Sequence, residues 1–370
     1  MFTDITTLLQ NEATQNQYIF NFILMNVIFL FAYAYRNRNQ SKPITWCLIL
    51  IFLLFAYWDT DYFSFRHIFY TSLEDFRDPL YYYLSQISFD SYTIFRLIIW
   101  GSALLLFKKT SDRYGISPNI AAFVFSIFFL LTFSYARVSL GMAMYFYGLS
   151  FLIKPHPTNR FWGFVWGLTF VCCSYFGHRS LLVLIALTPL ALLQLNRKNL
   201  IILGGVGILV SGFAAMLLSD LISGSLSVSD TMGAAGEAAE QYANIEIEME
   251  YNWKFALMRN LRFYSIYIAL AYIAWKVCFT KASKKVAPEI KRLATISCAI
   301  LIFSVSFMLA PSWGADIIGY RYLYMVGLPI CTIIAYLATN RLISKKMVSI
   351  LLLLAFLYSE GFIFGKILSF

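Results

Sequence analysis

The chain has 370 residues, of which 60% are apolar and only 13% charged, about half the charged share of a soluble globular protein. The apolar residues fall in blocks of roughly 15 to 20, the length of a bilayer-spanning helix, and not in the alternating ten-residue segments of a membrane β-barrel. The net charge is +10. Its distribution excludes nucleic acid as a partner, because most basic residues sit in short clusters between apolar blocks, the positive-inside pattern.

Residues 1–17 are polar and slightly acidic, so no cleaved signal peptide is expected there. The apolar segments then run over 18–35, 44–58, 91–107, 119–135, 138–153, 161–176, 180–195, 200–218, 259–279, 293–310, 320–338 and 347–366. This pattern predicts one all-α integral membrane domain of about 12 transmembrane helices. With the N-terminus outside, the inner connections carry Arg36, Arg38 and Lys42; Lys108, Lys109 and Arg113; Lys154 and Arg160; Arg197 and Lys198; Lys276, Lys281, Lys284, Lys285, Lys291 and Arg292; and Arg341, Lys345 and Lys346. That set is 19 of the 29 basic residues, against only Asp112 and Glu289 of the 19 acidic ones. Both termini are therefore expected outside.

Two outer connections are long, residues 59–90 and 219–258. The first is rich in aromatics and charges, and its PLYYYLSQ run predicts a short helix opened by Pro79. The second begins Ser/Gly/Ala-rich, a composition that favours mobility. All six cysteines lie within apolar runs, as apolar filler and not as disulfide or metal ligands.

The ten basic residues left over are Arg66, Arg77, Arg96, Arg137, Arg179, Lys254, Arg259, Arg262, Arg321 and Lys366. They defy the topology rule, and charges held near the apolar layer mark function by default. Three stand at the outer ends of segments: Arg137 in SYARVSLG, Arg179 beside His178 in YFGHRSLL at a tight turn on Gly177, and Arg321 at the start of the eleventh segment. Snorkelling to lipid phosphate explains any one such arginine but explains the set poorly. Guanidinium groups bind phosphate oxygens bidentately and hold their charge in a low dielectric, so a pair suits a pyrophosphate leaving group. A carboxylate or histidine can take the proton of an attacking hydroxyl, and Asp59, Asp61, Asp78 and His178 are the candidates. No phosphate loop, HExxH or GxSxG motif occurs. Asp59-Thr60-Asp61 could hold a divalent cation, but acidic residues are common at outer helix ends. No metal and no cofactor is expected.

The order of short elements carries a family resemblance. A DxDY-like start (Asp59-Thr60-Asp61-Tyr62) is followed by Asp78-Pro79-Leu80-Tyr81, Arg137-Val138-Ser139-Leu140-Gly141, His178-Arg179-Ser180 and Tyr320-Arg321-Tyr322. The chain resembles the EpsG-like group of Wzy-type polysaccharide polymerases over most of its length. It departs from the family pattern at Val138, where glutamine is usual after the arginine, and at Asp78, where glutamate is more usual. The resemblance implies a polytopic glycosyltransferase architecture of the GT-C-like kind. It also implies a bacterial inner-membrane location with the active site facing the periplasm. The implied activity joins undecaprenyl-pyrophosphate-linked repeat units into O-antigen, capsule or exopolysaccharide.

On this reading the enzyme is inverting and metal-independent. Arg137 and Arg321 bind the donor pyrophosphate, with Arg179 or Arg66 assisting, and Tyr81 and Tyr320 bind substrate. The base is one of Asp59, Asp61, Asp78 and His178. The expected partners are the lipid-linked oligosaccharide donor and acceptor, membrane lipid and, by family analogy, a chain-length regulator. A ligase or single-sugar transferase on the same donor would need the same groups. A flippase would instead carry charges near the bilayer midplane and broken helices in related halves, whereas here the charges gather at one face.

Overall fold

The computed structural model describes residues 13–37, 43–57, 60–71, 78–128, 136–154, 159–207, 268–308 and 313–344, with isolated positions at 209 and between 350 and 368. The described residues are helical and contain no strand. The chain divides into two compact units, Met1–Ala186 with Cys331–Phe370, and Leu187–Ile330.

The first unit holds α1 (Gln15–Tyr35), α2 (Pro43–Leu54), α3 (Thr60–Thr71), α4 (Pro79–Gln86), α5 (Tyr92–Arg113), α6 (Pro118–Phe128), α7 (Ala136–Ile153), α8 (Arg160–Gly177) and the start of α9 (Leu181–Leu187). Local chemistry sets several starts. The Gln17 side chain accepts from the Thr14 backbone N–H at 2.9 Å before α1. The Ser91 hydroxyl oxygen accepts from Ile94 N–H, and the Asn159 side-chain oxygen accepts from Trp162 N–H, both at 3.4 Å. Each satisfies a donor that the first helical turn leaves without a partner. Pro79 opens α4, where a missing N–H is no loss.

Helix α3 is a departure from expectation, since this part of the 59–90 connection reads as a loop. It has no glycine or proline, and Tyr62, Phe65 and Phe69 recur at helical spacing and are buried, so the packing of one face stabilises the helix.

Helix α7 packs on α8 and on α5; α1 packs on α2 and α6; and α4 packs on α5 and α8. The α7–α8 contact brings the two backbones close together. A β-carbon on Gly148 would lie 2.7 Å from the Gly167 carbonyl oxygen, and one on Gly177 would lie 2.7 Å from the Gly141 Cα. The inward stripe of α8 is Gly163, Gly167, Val171, Ser174 and Gly177. Its outward face is large and apolar, with Phe161 70% and Trp166 56% exposed. Small residues inside and bulky apolar ones outside is the packing of helices in lipid, and water would oppose that surface. The protein is a helical membrane protein.

Gly177 is the last residue of α8, and α9 starts four residues on at Leu181; the connection is tight without a left-handed backbone at Gly177, since among the described glycines only Gly115 has a positive φ. What excludes a side chain at Gly177 is the backbone of α7.

The second unit holds a 3-10 turn (Thr188–Leu192), α10 (197–207), α11 (Ile268–Phe279), a second 3-10 turn (Lys281–Lys285), α12 (Pro288–Met308) and the first part of α13 (Trp313–Thr339). The Thr295 hydroxyl donates to the Leu193 carbonyl at 2.8 Å, and Leu195 N–H donates to the Lys291 carbonyl at 3.2 Å. Phe303 and Tyr322 meet edge to face at 4.8 Å, which fixes α13 against α12.

Every one of the twelve apolar segments carries helix among the positions described within it. Among the described residues two stretches, Gln15–Tyr35 and Tyr322–Thr339, are long and apolar enough to cross a membrane, and Pro43–Leu54, Val138–Ile153, Leu181–Leu192 and Ile268–Phe279 are shorter apolar helices. The 219–258 connection lies outside the described residues.

Candidate active site at the His178 end of α7 and α8

The contact between Gly141 and Gly177 organises this end of the first unit. Arg137 lies on the first turn of α7, one turn before Gly141. Gly177 closes α8, and His178 follows it. Leu181, which opens α9, lies against Gly141, and Leu80 of α4 lies against Gly177. The backbone therefore brings three separate sequence elements to one place: Asp78 to Tyr81, Arg137 to Gly141, and His178 to Ser180.

His178 leaves the helix in an extended conformation, φ −168° and ψ 129°, and its N–H donates to the Ser174 carbonyl at 3.3 Å. The residue is half-buried. Ser180 N–H donates to His178 Nδ1 at 3.2 Å, and Ser180 Oγ is 2.6 Å from the same nitrogen. Arg179 is exposed. The chain then turns through Ser180 into α9, which the Tyr145 hydroxyl of α7 holds by donating to the Leu184 carbonyl at 2.8 Å.

Asp78 is the residue before α4, extended at φ −102° and ψ 117°, and only 8% exposed. A polar group so enclosed has to be held by partners or by substrate. Tyr81, three residues on, is 1% exposed and packs edge to face against Phe65 at 6.1 Å and Phe95 at 6.4 Å. The substrate-binding role expected for Tyr81 finds no open ring face here; its visible contribution is to hold α4 against α3 and α5.

Asp61 lies on the first turn of α3 and Arg66 just over one turn further, with Arg66 half-buried. Asp59 lies outside the described residues. Tyr320 and Arg321 belong to the second unit. Arg321 stands at the start of the apolar stretch Tyr322–Thr339, but the helix that carries it, α13, begins earlier, at Trp313, because residues 313–320 contain no proline to stop it. Arg321 therefore stands more than two turns inside its helix. Among the described residues no cluster of three or more His, Cys, Asp or Glu could hold a metal ion.

Arg96 has no assigned role on the sequence alone, and the structure gives it one. It is 1% exposed. Its guanidinium donates to the Leu53 carbonyl at 2.5 Å, the Leu54 carbonyl at 3.1 Å and the Tyr92 hydroxyl at 3.4 Å. It also lies 4.6 Å from the centre of the Tyr62 ring. The Tyr92 hydroxyl in turn donates to the Tyr62 carbonyl at 2.8 Å. A cation placed on the last carbonyls of α2 satisfies acceptors that the helix leaves open and complements its dipole. Arg96 thereby ties the end of α2 to the beginning of α3, the turn that carries Asp61. The Tyr62 phenol is pushed up to about 12, chiefly by burial, with Arg96 and Arg66 opposing the shift. The sequence holds a signal for this cluster in Tyr92, Arg96 and Trp100, spaced by four on one helical face. It does not say which carbonyls that face meets.

No curated protein and no solved structure matches the chain. The EpsG family model matches residues 44–369, which contain every one of the five motif elements, and the chain therefore belongs to the EpsG family.

Proposed function

We propose that this protein is a polysaccharide polymerase of the bacterial inner membrane. On this reading it joins polyprenyl-pyrophosphate-linked repeat units at the periplasmic face, through about twelve membrane spans with both termini outside. The observation that carries the reading is the meeting of the Asp78, Arg137 and His178-Arg179 elements at one end of α7 and α8, in a chain of the EpsG family. Phosphate-binding cations beside a carboxylate and an imidazole suit transfer of a glycosyl group from a diphosphate.

In the proposed reaction the acceptor hydroxyl attacks the anomeric carbon of the lipid-linked donor with inversion. Its O–H bond breaks as the new glycosidic C–O bond forms, and the C–O bond to the diphosphate breaks with the electron pair leaving on the diphosphate oxygen. Arg137 binds that leaving group. Arg321 is assigned to the same task on its motif alone, with Arg179 or Arg66 assisting. One of Asp59, Asp61, Asp78 and His178 takes the proton.

The test is a gel of surface polysaccharide from cells lacking the gene, complemented with wild type. A ladder in the complemented strain that collapses to single repeat units in the deletion supports polymerisation. One discrete shift would indicate a ligase or single-sugar transferase. A normal ladder in the deletion would overturn the reading and favour a lipid-linked glycan flippase.

A further inference from the structure

Arg96 and Tyr92 stand one turn apart on α5 and grip both sides of the connection between α2 and α3. On the α2 side the Leu53 and Leu54 carbonyls accept from the Arg96 guanidinium. The next carbonyl, of Phe55, accepts from the Asn21 side chain of α1 at 2.7 Å. Three successive carbonyls at the end of α2 are thus held by side chains of two other helices, where α2 itself supplies no donor. On the α3 side the Tyr62 carbonyl accepts from the Tyr92 hydroxyl, to which Arg96 donates. The Tyr57 and Tyr62 rings, one on each side of the connection, meet edge to face at 5.0 Å, and their hydroxyls are hydrogen-bonded. Asp61 is the residue before Tyr62, on the same first turn of α3.

Stability alone does not call for a guanidinium here. Among the described residues Arg96 has no carboxylate partner; it meets three oxygens and the rings of Tyr62, Tyr92 and Trp100. Burying a cation is costly, and packed apolar side chains often hold a core as well or better. What a guanidinium adds is direction, because its planar fork of N–H donors fixes neighbouring oxygens in one geometry. A carboxylate that takes a proton in a transfer reaction needs such fixing, since a displacement of about 1 Å costs roughly 10²-fold in rate. At 1% exposure Arg96 is closed off from substrate. We propose that Arg96 is a positioning residue for the transfer reaction: through its bonds to α2 and through Tyr92 it sets the first turn of α3, and with it Asp61. This rests on the polymerase reading, in which Asp61 is one of the four candidate proton acceptors. Tyr92 shares the role, because it links the guanidinium to the Tyr62 backbone.

The experiment has two arms. The first follows hydrogen exchange of the α3 amides by mass spectrometry, with the full chain in lipid nanodiscs. Arg96→Lys and Tyr92→Phe are expected to speed exchange in α3. Gly148→Ala, which disturbs the α7–α8 contact, is expected to leave α3 unchanged. Unchanged α3 exchange in both clamp variants would overturn the clamp. The second arm measures polymer ladder intensity in deletion cells at matched protein level. Tyr92→Phe is expected to lower it about tenfold, Arg96→Met roughly 10²-fold and Arg96→Lys by an intermediate factor. Tyr92→Phe is then repeated on Asp61→Glu, whose carboxylate is already displaced by one methylene. There it should lower the ladder by a clearly smaller factor, because groups that act as a unit are not additive. Gly148→Ala should act by equal factors in both backgrounds. Equal factors for Tyr92→Phe as well, or a full ladder in Asp61→Asn, would make Arg96 a structural residue only and overturn the proposal. A normal ladder in the uncomplemented deletion strain would remove the polymerase reading, and with it the role in transfer, while the exchange data still judge the clamp.

Discussion

Gly141 and Gly177 meet backbone to backbone: a β-carbon on Gly177 would stand 2.7 Å from the Gly141 Cα and 3.0 Å from its nitrogen. This contact brings the Arg137 turn of α7 to the His178 end of α8, so a packing feature sets the geometry of the candidate site. Its counterpart further along the pair is Gly148 with Gly167. There a β-carbon on Gly148 would lie 2.7 Å from a carbonyl oxygen and 2.8 Å from the Val171 nitrogen, neither of which is the end of a flexible side chain.

Gly148→Ala is therefore expected to lower stability by about 1–3 kcal/mol, the usual cost of overpacking. Gly101→Ala is the comparison. Gly101 lies inside α5 with nothing within 4 Å of the place its β-carbon would take, and helix propensity predicts a gain of about 0.5–1 kcal/mol. Thermal unfolding of the two purified variants in one detergent checks both; equal midpoints would show that the glycine contact does not govern the pair.

Replacing Arg96 removes a buried clamp. Arg96→Met leaves the Leu53 and Leu54 carbonyls without their guanidinium, and each buried acceptor so abandoned costs about 1–3 kcal/mol. Tyr92→Phe removes one hydroxyl and is expected to cost about 1 kcal/mol. The two share partners, so the double variant should cost less than the sum. A thermal-shift series of the four proteins measures the coupling, and strict additivity would show that the relay from Arg96 through Tyr92 to Tyr62 carries no joint energy.

If the diphosphate is held by arginines, Arg137→Ala and Arg321→Ala should each reduce polymer output by roughly 10²-fold. Lysine at either position keeps the charge but loses the planar fork and should recover only part. The readout is ladder intensity at matched protein level. Full-length ladders in both alanine variants would remove the arginines from the reaction.

The Tyr62 phenol supplies a pH prediction. Its folded value of about 12 stands above the ordinary 10.0. Folding therefore favours the protonated form, so this contribution is complete below pH 10 and is lost as pH rises from there through about 12. Tyr62→Phe has no proton to lose, and its stability should fall less steeply across that window. Parallel slopes for wild type and Tyr62→Phe would show that the buried phenol is not what the alkaline limb reports.

Features that depend on near neighbours are legible in the sequence. Apolar blocks locate the helices, and Pro79 marks the start of α4 because a terminal residue acts within one turn. The same local reading misses α3, whose aromatic stripe looks like loop chemistry. The motif elements are legible as positions, and so is the inconsistency of Arg96 with the charge rule. What those positions do is a matter of packing between distant segments. Arg96 reaches carbonyls 42 and 43 residues away, Tyr81 is closed in by Phe65 and Phe95, and the backbone of α7 excludes a side chain at Gly177. Even the Ser180 contact on His178 Nδ1, made by a residue two places on, depends on how the chain leaves α8 against α7. Burial and hydrogen-bond direction belong to packed neighbours, and a linear pattern does not contain them.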